Sequence, residues 1–223
     1  MFLIFLIKLQ KIKLRKIKNF KKKFYKIPIY SNKLIFNEAN LFLDWYVPKI
    51  INQNEKFKIK KKLKKIITSL IKKIQLPDTT FVHRDFHVSN LMIKKNKIFI
   101  IDSQDAVYGN ITYDLASLID DVRLKTSKNF KDMIYQSYFN LNKKKINKIK
   151  FKNDFEILSV LRNLKIIGIF TRLATRDKKK KYLKLIPYTW NLIELRLKNN
   201  VIFKDLKDCL DANFPKKIRL LIN

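Results

Sequence analysis

Residues 81–102 differ in pattern from everything around them. On either side apolar residues recur at helical spacing, whereas here they fall into three short runs, Phe81-Val82, Leu91-Met92-Ile93 and Ile98-Phe99-Ile100-Ile101. Runs this short, bounded by polar and turn-forming residues such as Lys95-Asn96-Lys97, read as strands. A few short strands set among long helices give a mostly α, α+β fold. The strands also hold what lies between them. The string His83-Arg84-Asp85-Phe86-His87-Val88-Ser89-Asn90 joins the first two runs, and Asp102 ends the third.

The flanks are helical in pattern. Residues 2–24 read as a basic helix, with a break at Pro28 and a cap at Ser31-Asn32. A second helix is predicted from about 33 to 47, with Pro48 at its end. Over 55–75 the residues Leu63, Ile66, Ile67, Leu70, Ile71 and Ile74 share a face, and nine lysines form a solvated one. Helices follow at 154–176, apolar nearly all round between Leu164 and Phe170, at 180–197, interrupted by Pro187, and at 203–212. This gives a basic helical segment over 1–30 and a chemistry-bearing lobe over 31–223.

Composition narrows the partners. The net charge of +33 would ordinarily point to nucleic acid or an anionic membrane. The excess is mostly lysine, however, and it accompanies abundant Ile, Asn and Phe, whose codons are also A/T-rich. Base composition accounts for that mixture, and nucleic acid is not the expected partner. One cysteine, Cys209, cannot form an internal disulfide, which fits a reducing cytoplasm. The apolar opening Met1-Phe2-Leu3-Ile4-Phe5-Leu6-Ile7 is too short to span a bilayer and lacks the flanks of a signal peptide. It reads as the buried face of a helix.

The string 83–90 has the residue types that phosphoryl transfer needs. A carboxylate, ionised at neutral pH, can accept the proton of an attacking hydroxyl, and Asp85 is the candidate. Asn90 offers a neutral oxygen to Mg²⁺, and Asp102, leaving a rigid strand end, offers a charged one. His83 and His87 read as residues that fix the loop. Zinc ligation by the pair would need a third ligand and the missing Glu of H-E-x-x-H. Asp105, three residues past Asp102, is placed to contact metal or substrate, or to cap. Asp114, at a helix start, is placed to accept backbone amides of the loop.

These strings, with Ile101-Asp102-Ser103-Gln104-Asp105-Ala106 and Gly109 followed by Tyr113-Asp114-Leu115-Ala116-Ser117, resemble the aminoglycoside phosphotransferase and choline kinase family. Three further stretches, 38–46, 161–170 and 182–190, are similar to its bacterial subgroup that phosphorylates N-acetylmuramate and N-acetylglucosamine at the anomeric hydroxyl, in cell-wall recycling. The resemblance implies the helical C-terminal lobe of a protein-kinase-like fold, with ATP and Mg²⁺ as cofactors. It implies Asp85 as catalytic residue, Asn90 and Asp102 as metal and nucleotide ligands, and Asp114 as a brace. Ser103 is a departure, since such proteins often carry a bulky residue there. The larger departure is that the strands, glycine-rich loop and phosphate-binding lysine of a nucleotide lobe have no counterpart. The chain has only two glycines, Gly109 and Gly168, both beyond the string.

The expectation is therefore a phosphotransferase lobe acting on a small polar substrate, weakly active or inactive alone. A separate polypeptide is a candidate source of the missing lobe. Two other classes compete with it: a non-enzymatic scaffold, which would not bind nucleotide, and a basic surface binder, whose affinity would fall steeply with salt.

Overall fold

A computed structural model describes residues 1–18, 20–142, 146–198 and 200–220. Of the segments predicted from the sequence, the helix over 2–24 includes Asn19, and the lobe over 31–223 includes 143–145, 199 and 221–223; these positions lie outside the described residues. In chain order the elements are α1 (Phe2–Gln10), β1 (Lys16–Lys18), β2 (Phe24–Lys26), α2 (Asn32–Leu41), α3 (Val47–Ile50), α4 (Gln53–Lys72), β3 (Thr80–Val82), β4 (Leu91–Lys94), β5 (Lys97–Ile100), β6 (Val107–Gly109), α5 (Tyr113–Ile119), α6 (Lys128–Asn142), α7 (Lys148–Thr175), α8 (Ile186–Leu197), α9 (Lys204–Asn213) and α10 (Lys216–Arg219). The fold is mostly helical with a few short strands, as the sequence predicts.

The helix expected over 2–24 is corrected. It stops at Gln10, and β1 pairs antiparallel with β2, Ile17 opposite Tyr25. The apolar opening holds the helix because Leu6 is fully buried. Beyond it the residues Lys11-Ile12-Lys13-Leu14 alternate polar and apolar, a period of two that suits extended chain better than helix. The second helix also runs past its expected end. A π-helical turn, Phe42–Tyr46, leads into α3, with Pro48 in its first turn, where the N–H that proline lacks is not needed. Pro187 likewise sits in the first turn of α8, after a 3₁₀ segment, Lys180–Leu185.

The chain forms two compact units, one of Met1–Ser31 with Gln75–Phe155 and one of Asn32–Ile74 with Glu156–Asn223. The first contains all the short strands. In it β3 pairs antiparallel with β6, Phe81 opposite Tyr108, and β4 pairs with β5 as a hairpin. Lys95 and Asn96 turn that hairpin with φ of 46° and 59°, the left-handed pair a two-residue turn demands. The segment at Ile29 lies alongside the other edge of β6, where Tyr30 N–H donates to the Tyr108 carbonyl at 2.7 Å. Beneath these strands Leu6, Phe86, Leu115, Ile119, Tyr138 and Phe151 form a buried core.

The second unit is helical. Its centre is an aromatic cluster of Phe42, Tyr46, Trp190 and Phe214, with ring centroids 5.2–5.9 Å apart. Gly168 on α7 lies against the backbone of the turn from α2 into the π-helical segment. A Cβ there would stand 2.3 Å from the Leu41 carbonyl carbon and 2.5 Å from Phe42 N.

Candidate active site

The string 83–90 leaves β3 and is anchored from below. Phe86 is fully buried, its ring stacked 6.3 Å from Phe5 of α1. The apolar opening of the chain therefore supports the loop from inside. Asp114, fully buried in the first turn of α5, accepts hydrogen bonds from His83 N–H at 2.7 Å and Arg84 N–H at 3.0 Å. Arg84 has φ of 74°, an uncommon value for a non-glycine residue. Its guanidinium donates to the Asp105 carbonyl at 3.1 Å and lies 5.7 Å from the centre of the Tyr30 ring.

The three candidate oxygen donors are tied together through backbone. Asn90 Nδ2 donates to the Asp85 carbonyl at 3.0 Å, and Ile101 N–H donates to the Asn90 carbonyl at 3.1 Å. Asp102 follows Ile101 directly. With Nδ2 committed, the Asn90 amide presents Oδ1 as the atom left for a cation. Asp102 itself has φ of 62° and ψ of 42°. Left-handed backbone costs an ordinary residue about 1–2 kcal/mol, and Asp and Asn tolerate it best. Its carboxylate is exposed, that of Asp85 is half-buried, and neither has a hydrogen-bond or ion-pair partner among the described residues.

His83 is fully buried between these groups. Burial pushes its imidazole below the ordinary histidine range, against the opposing pull of the Asp85 carboxylate, the Ile101 carbonyl and the Asp102 carboxylate. At pH 7 it is neutral, beside two acids. His87 is also buried, and its N–H donates to the Asp85 carbonyl at 3.0 Å while its carbonyl accepts from Asn90 N–H at 3.0 Å. Asp105 is exposed in the turn Ser103–Asp105, and among the described residues it meets the loop through its carbonyl. Among the described residues no three His, Cys, Asp or Glu side chains cluster. One carboxylate and one amide oxygen still suit Mg²⁺, which takes its remaining ligands from water and phosphate.

Two bracing carboxylates were not singled out in the sequence. Asp121, 1% exposed, accepts from Val88 N–H at 3.1 Å and so holds the far side of the loop that Asp114 holds near β3. Asp154, fully buried, accepts from Gln75 and Leu76 N–H at 2.9 and 2.7 Å and from Asn110 Nδ2 at 2.7 Å. Asn110 in turn accepts from Thr112 N–H at 3.0 Å, just ahead of α5. Neither carries a local signal, because the Val88 amide that Asp121 accepts from lies 33 residues away in the chain, and the Gln75 and Leu76 amides that Asp154 accepts from lie 79 and 78 away.

Residues 24–146 match the phosphotransferase enzyme family. The chain is 33% identical over 172 residues to an N-acetylmuramate/N-acetylglucosamine kinase of Neisseria meningitidis, covering 75% of this chain and 52% of that protein. It is 27% identical over 197 residues to a protein of the same name from Pseudomonas aeruginosa, covering 85% and 57%. A third, from Pseudomonas putida, is 30% identical over 168 residues, covering 72% and 49%. The chain spans about half the length of these relatives.

Proposed function

The chain belongs to the phosphotransferase enzyme family, and we propose that it moves the γ-phosphate of ATP, with Mg²⁺, to a hydroxyl of an N-acetylated amino sugar in the cytoplasm. The observation that supports this most is the backbone link from Asp85 through Asn90 to Ile101, which leaves two carboxylates and one amide oxygen without internal partners among the described residues. The amino sugar comes from the names of the relatives.

Asp85 accepts the proton of the acceptor hydroxyl as that oxygen bonds to the γ-phosphorus and the bond to the β-bridging oxygen breaks, releasing ADP. Asn90 and Asp102 would hold Mg²⁺, whose chemistry is to neutralise charge on the phosphates. Asp114 and Asp121 keep the loop from shifting, and positioning supplies much of the rate in this chemistry. Neutral His83 adds no positive charge that would pull on Asp85. No helix among the described residues is long and apolar enough to cross a membrane.

Over this span alone turnover is expected to be slow, because a nucleotide held from one side leaves its γ-phosphate loosely placed. Further polypeptide, in the same chain or another, would cover it. The test is phosphorylation of N-acetylglucosamine by ATP and Mg²⁺, followed by ³¹P NMR. Asp85→Ala is expected to lower the rate by about 100-fold or more. Turnover indifferent to that change refutes the role of Asp85.

A further inference from the structure

The hairpin of β1 and β2 lies in a stretch of chain without a single acid. No Asp or Glu precedes Glu38, whereas eleven of the 51 Lys and Arg do. Base composition enriches lysine throughout, but it does not set lysines and exposed aromatic rings on one face. The pairing does so here, with Lys16 opposite Lys26 and Lys18 opposite Phe24 on one side and Ile17 opposite Tyr25 on the other. Ile17 and Tyr25 line a cavity together with Phe81 and Ala106, so theirs is the side turned to the body of the unit. Lys16, Lys18, Phe24 and Lys26 look outward, and all are exposed. Like charges directly opposite weaken a strand pair, and two strands alone are marginal in water. The base of this hairpin is tied down. Ile27 N–H donates to the Arg15 carbonyl at 3.0 Å, the Tyr108 hydroxyl donates to the Ile12 carbonyl at 3.0 Å, and the Arg15 guanidinium lies 4.7 Å from the centre of the Tyr108 ring. Beyond that base Phe20, in the turn, is 91% exposed and Phe24 is 67% exposed.

We propose that the outer face and turn of this hairpin seat the chain on an anionic phospholipid surface. Lys16, Lys18 and Lys26 supply ammonium groups for lipid phosphates, and they have no ion pair to break among the described residues. Anionic headgroups between Lys16 and Lys26 also relieve the repulsion that the pairing creates. Phe20 and Phe24, apolar rings surrounded by water, gain by entering the boundary between headgroups and acyl chains. The Lys18 ammonium lies 5.3 Å from the centre of the Phe24 ring, and that of Lys21 lies 5.6 Å from the centre of the Phe20 ring. A long lysine stem lets the charge stay with the headgroups while the ring goes deeper. Single-stranded RNA is the other polyanion that suits a basic, aromatic face, and it needs open rings for its bases to stack on. Here each ring already has an ammonium group beside it, and Arg15, the one arginine before Glu38, is engaged on Tyr108. Attachment of this kind needs no membrane-spanning helix, and nothing in the contact depends on the phosphotransfer site.

The test is co-sedimentation of the whole chain with vesicles of phosphatidylcholine, alone or mixed in equal parts with phosphatidylglycerol. Binding is expected to the mixed vesicles only, and to fall as salt rises. Replacing Lys16, Lys18 and Lys26 together by Gln is expected to weaken it about a hundredfold, near fivefold for each charge. Replacing Lys61, Lys64 and Lys65 of α4 by Gln removes the same charge from another exposed face and is expected to change it less than about threefold. The double variant Phe20→Ala with Phe24→Ala, at exposed positions, is expected to weaken it about tenfold. Absence of binding to the mixed vesicles, equal loss in the hairpin and α4 variants, or no loss in the phenylalanine variant overturns the proposal. So does displacement of the chain from the vesicles by an equal charge of oligouridylate. An Asp85→Ala chain that no longer phosphorylates sugar is expected to sediment as before, so the two assignments fail separately.

Discussion

A loop that has to hold a carboxylate still within a fraction of an ångström cannot rely on its own hydrogen bonds, and here its backbone is bonded to buried acids. Asp114 accepts two amide hydrogens, from His83 and Arg84. Removing it strands both donors, at about 1–3 kcal/mol each. Asp114→Ala is expected to lower the unfolding free energy by about 2–5 kcal/mol in urea denaturation, and a loss under ~1 kcal/mol contradicts the bracing role. Asp78 works in the opposite sense. Burial, helped by the nearby charge of Asp154, raises its carboxyl to about 6. Between the ordinary carboxylate range near ~4 and 6 the folded chain binds more protons than the unfolded one, so this residue takes stability away as pH rises through that window. Asp78→Asn is expected to flatten the melting temperature between pH 4 and 7, and an unchanged slope contradicts it. The sequence pointed to Asp85, Asn90, Asp102 and Asp114 because their spacing carries chemistry. It was silent on Asp121 and Asp154, whose partners lie far off in the chain, and far partners leave no local pattern.

The elements owe their limits to backbone as much as to apolar spacing. The strands around residues 81–102 were legible because turn residues bound them, and Lys95-Asn96 shows the left-handed φ values such a turn requires. Strand β6 was not, since Val107-Tyr108-Gly109 is too short to carry a period and is fixed only by pairing with β3 and with the segment at Ile29. The hairpin after α1 was mistaken for helix because lysines fit a solvated face of either element. The cleanest element-scale test is Gly168→Ala. Helix propensity alone favours alanine by about 1 kcal/mol, but a Cβ would meet the backbone of Leu41 and Phe42 at 2.3–2.5 Å. Backbone cannot step aside as a side chain can, so the variant is expected to lose about 3 kcal/mol or more. A gain in stability would show that α7 and the π-helical turn shift apart at little cost.

For the whole molecule, charge and function separate. The +33 net charge lies mostly on exposed lysines, such as those of α4, whose apolar face buries Ile59, Leu63, Ile67 and Leu70. The acids are fewer, and two of them, Asp114 and Asp121, are buried in the first unit and hold one loop, which is why that loop rather than the basic surface carries the proposed chemistry. Mostly helical architecture with a stranded insert was readable from period alone. The pairing of residues 1–31 with 75–155 as one unit was not, since it depends on α1 packing under Phe86 and on Tyr30 bonding Tyr108. The most direct test of the central claim uses Mn²⁺ in place of Mg²⁺, with ATP, and reads paramagnetic broadening of amide signals. Broadening centred on residues 85–90 and 101–103, lost in both Asn90→Ala and Asp102→Ala, is the expected result; broadening elsewhere, or unchanged in either variant, contradicts the assignment.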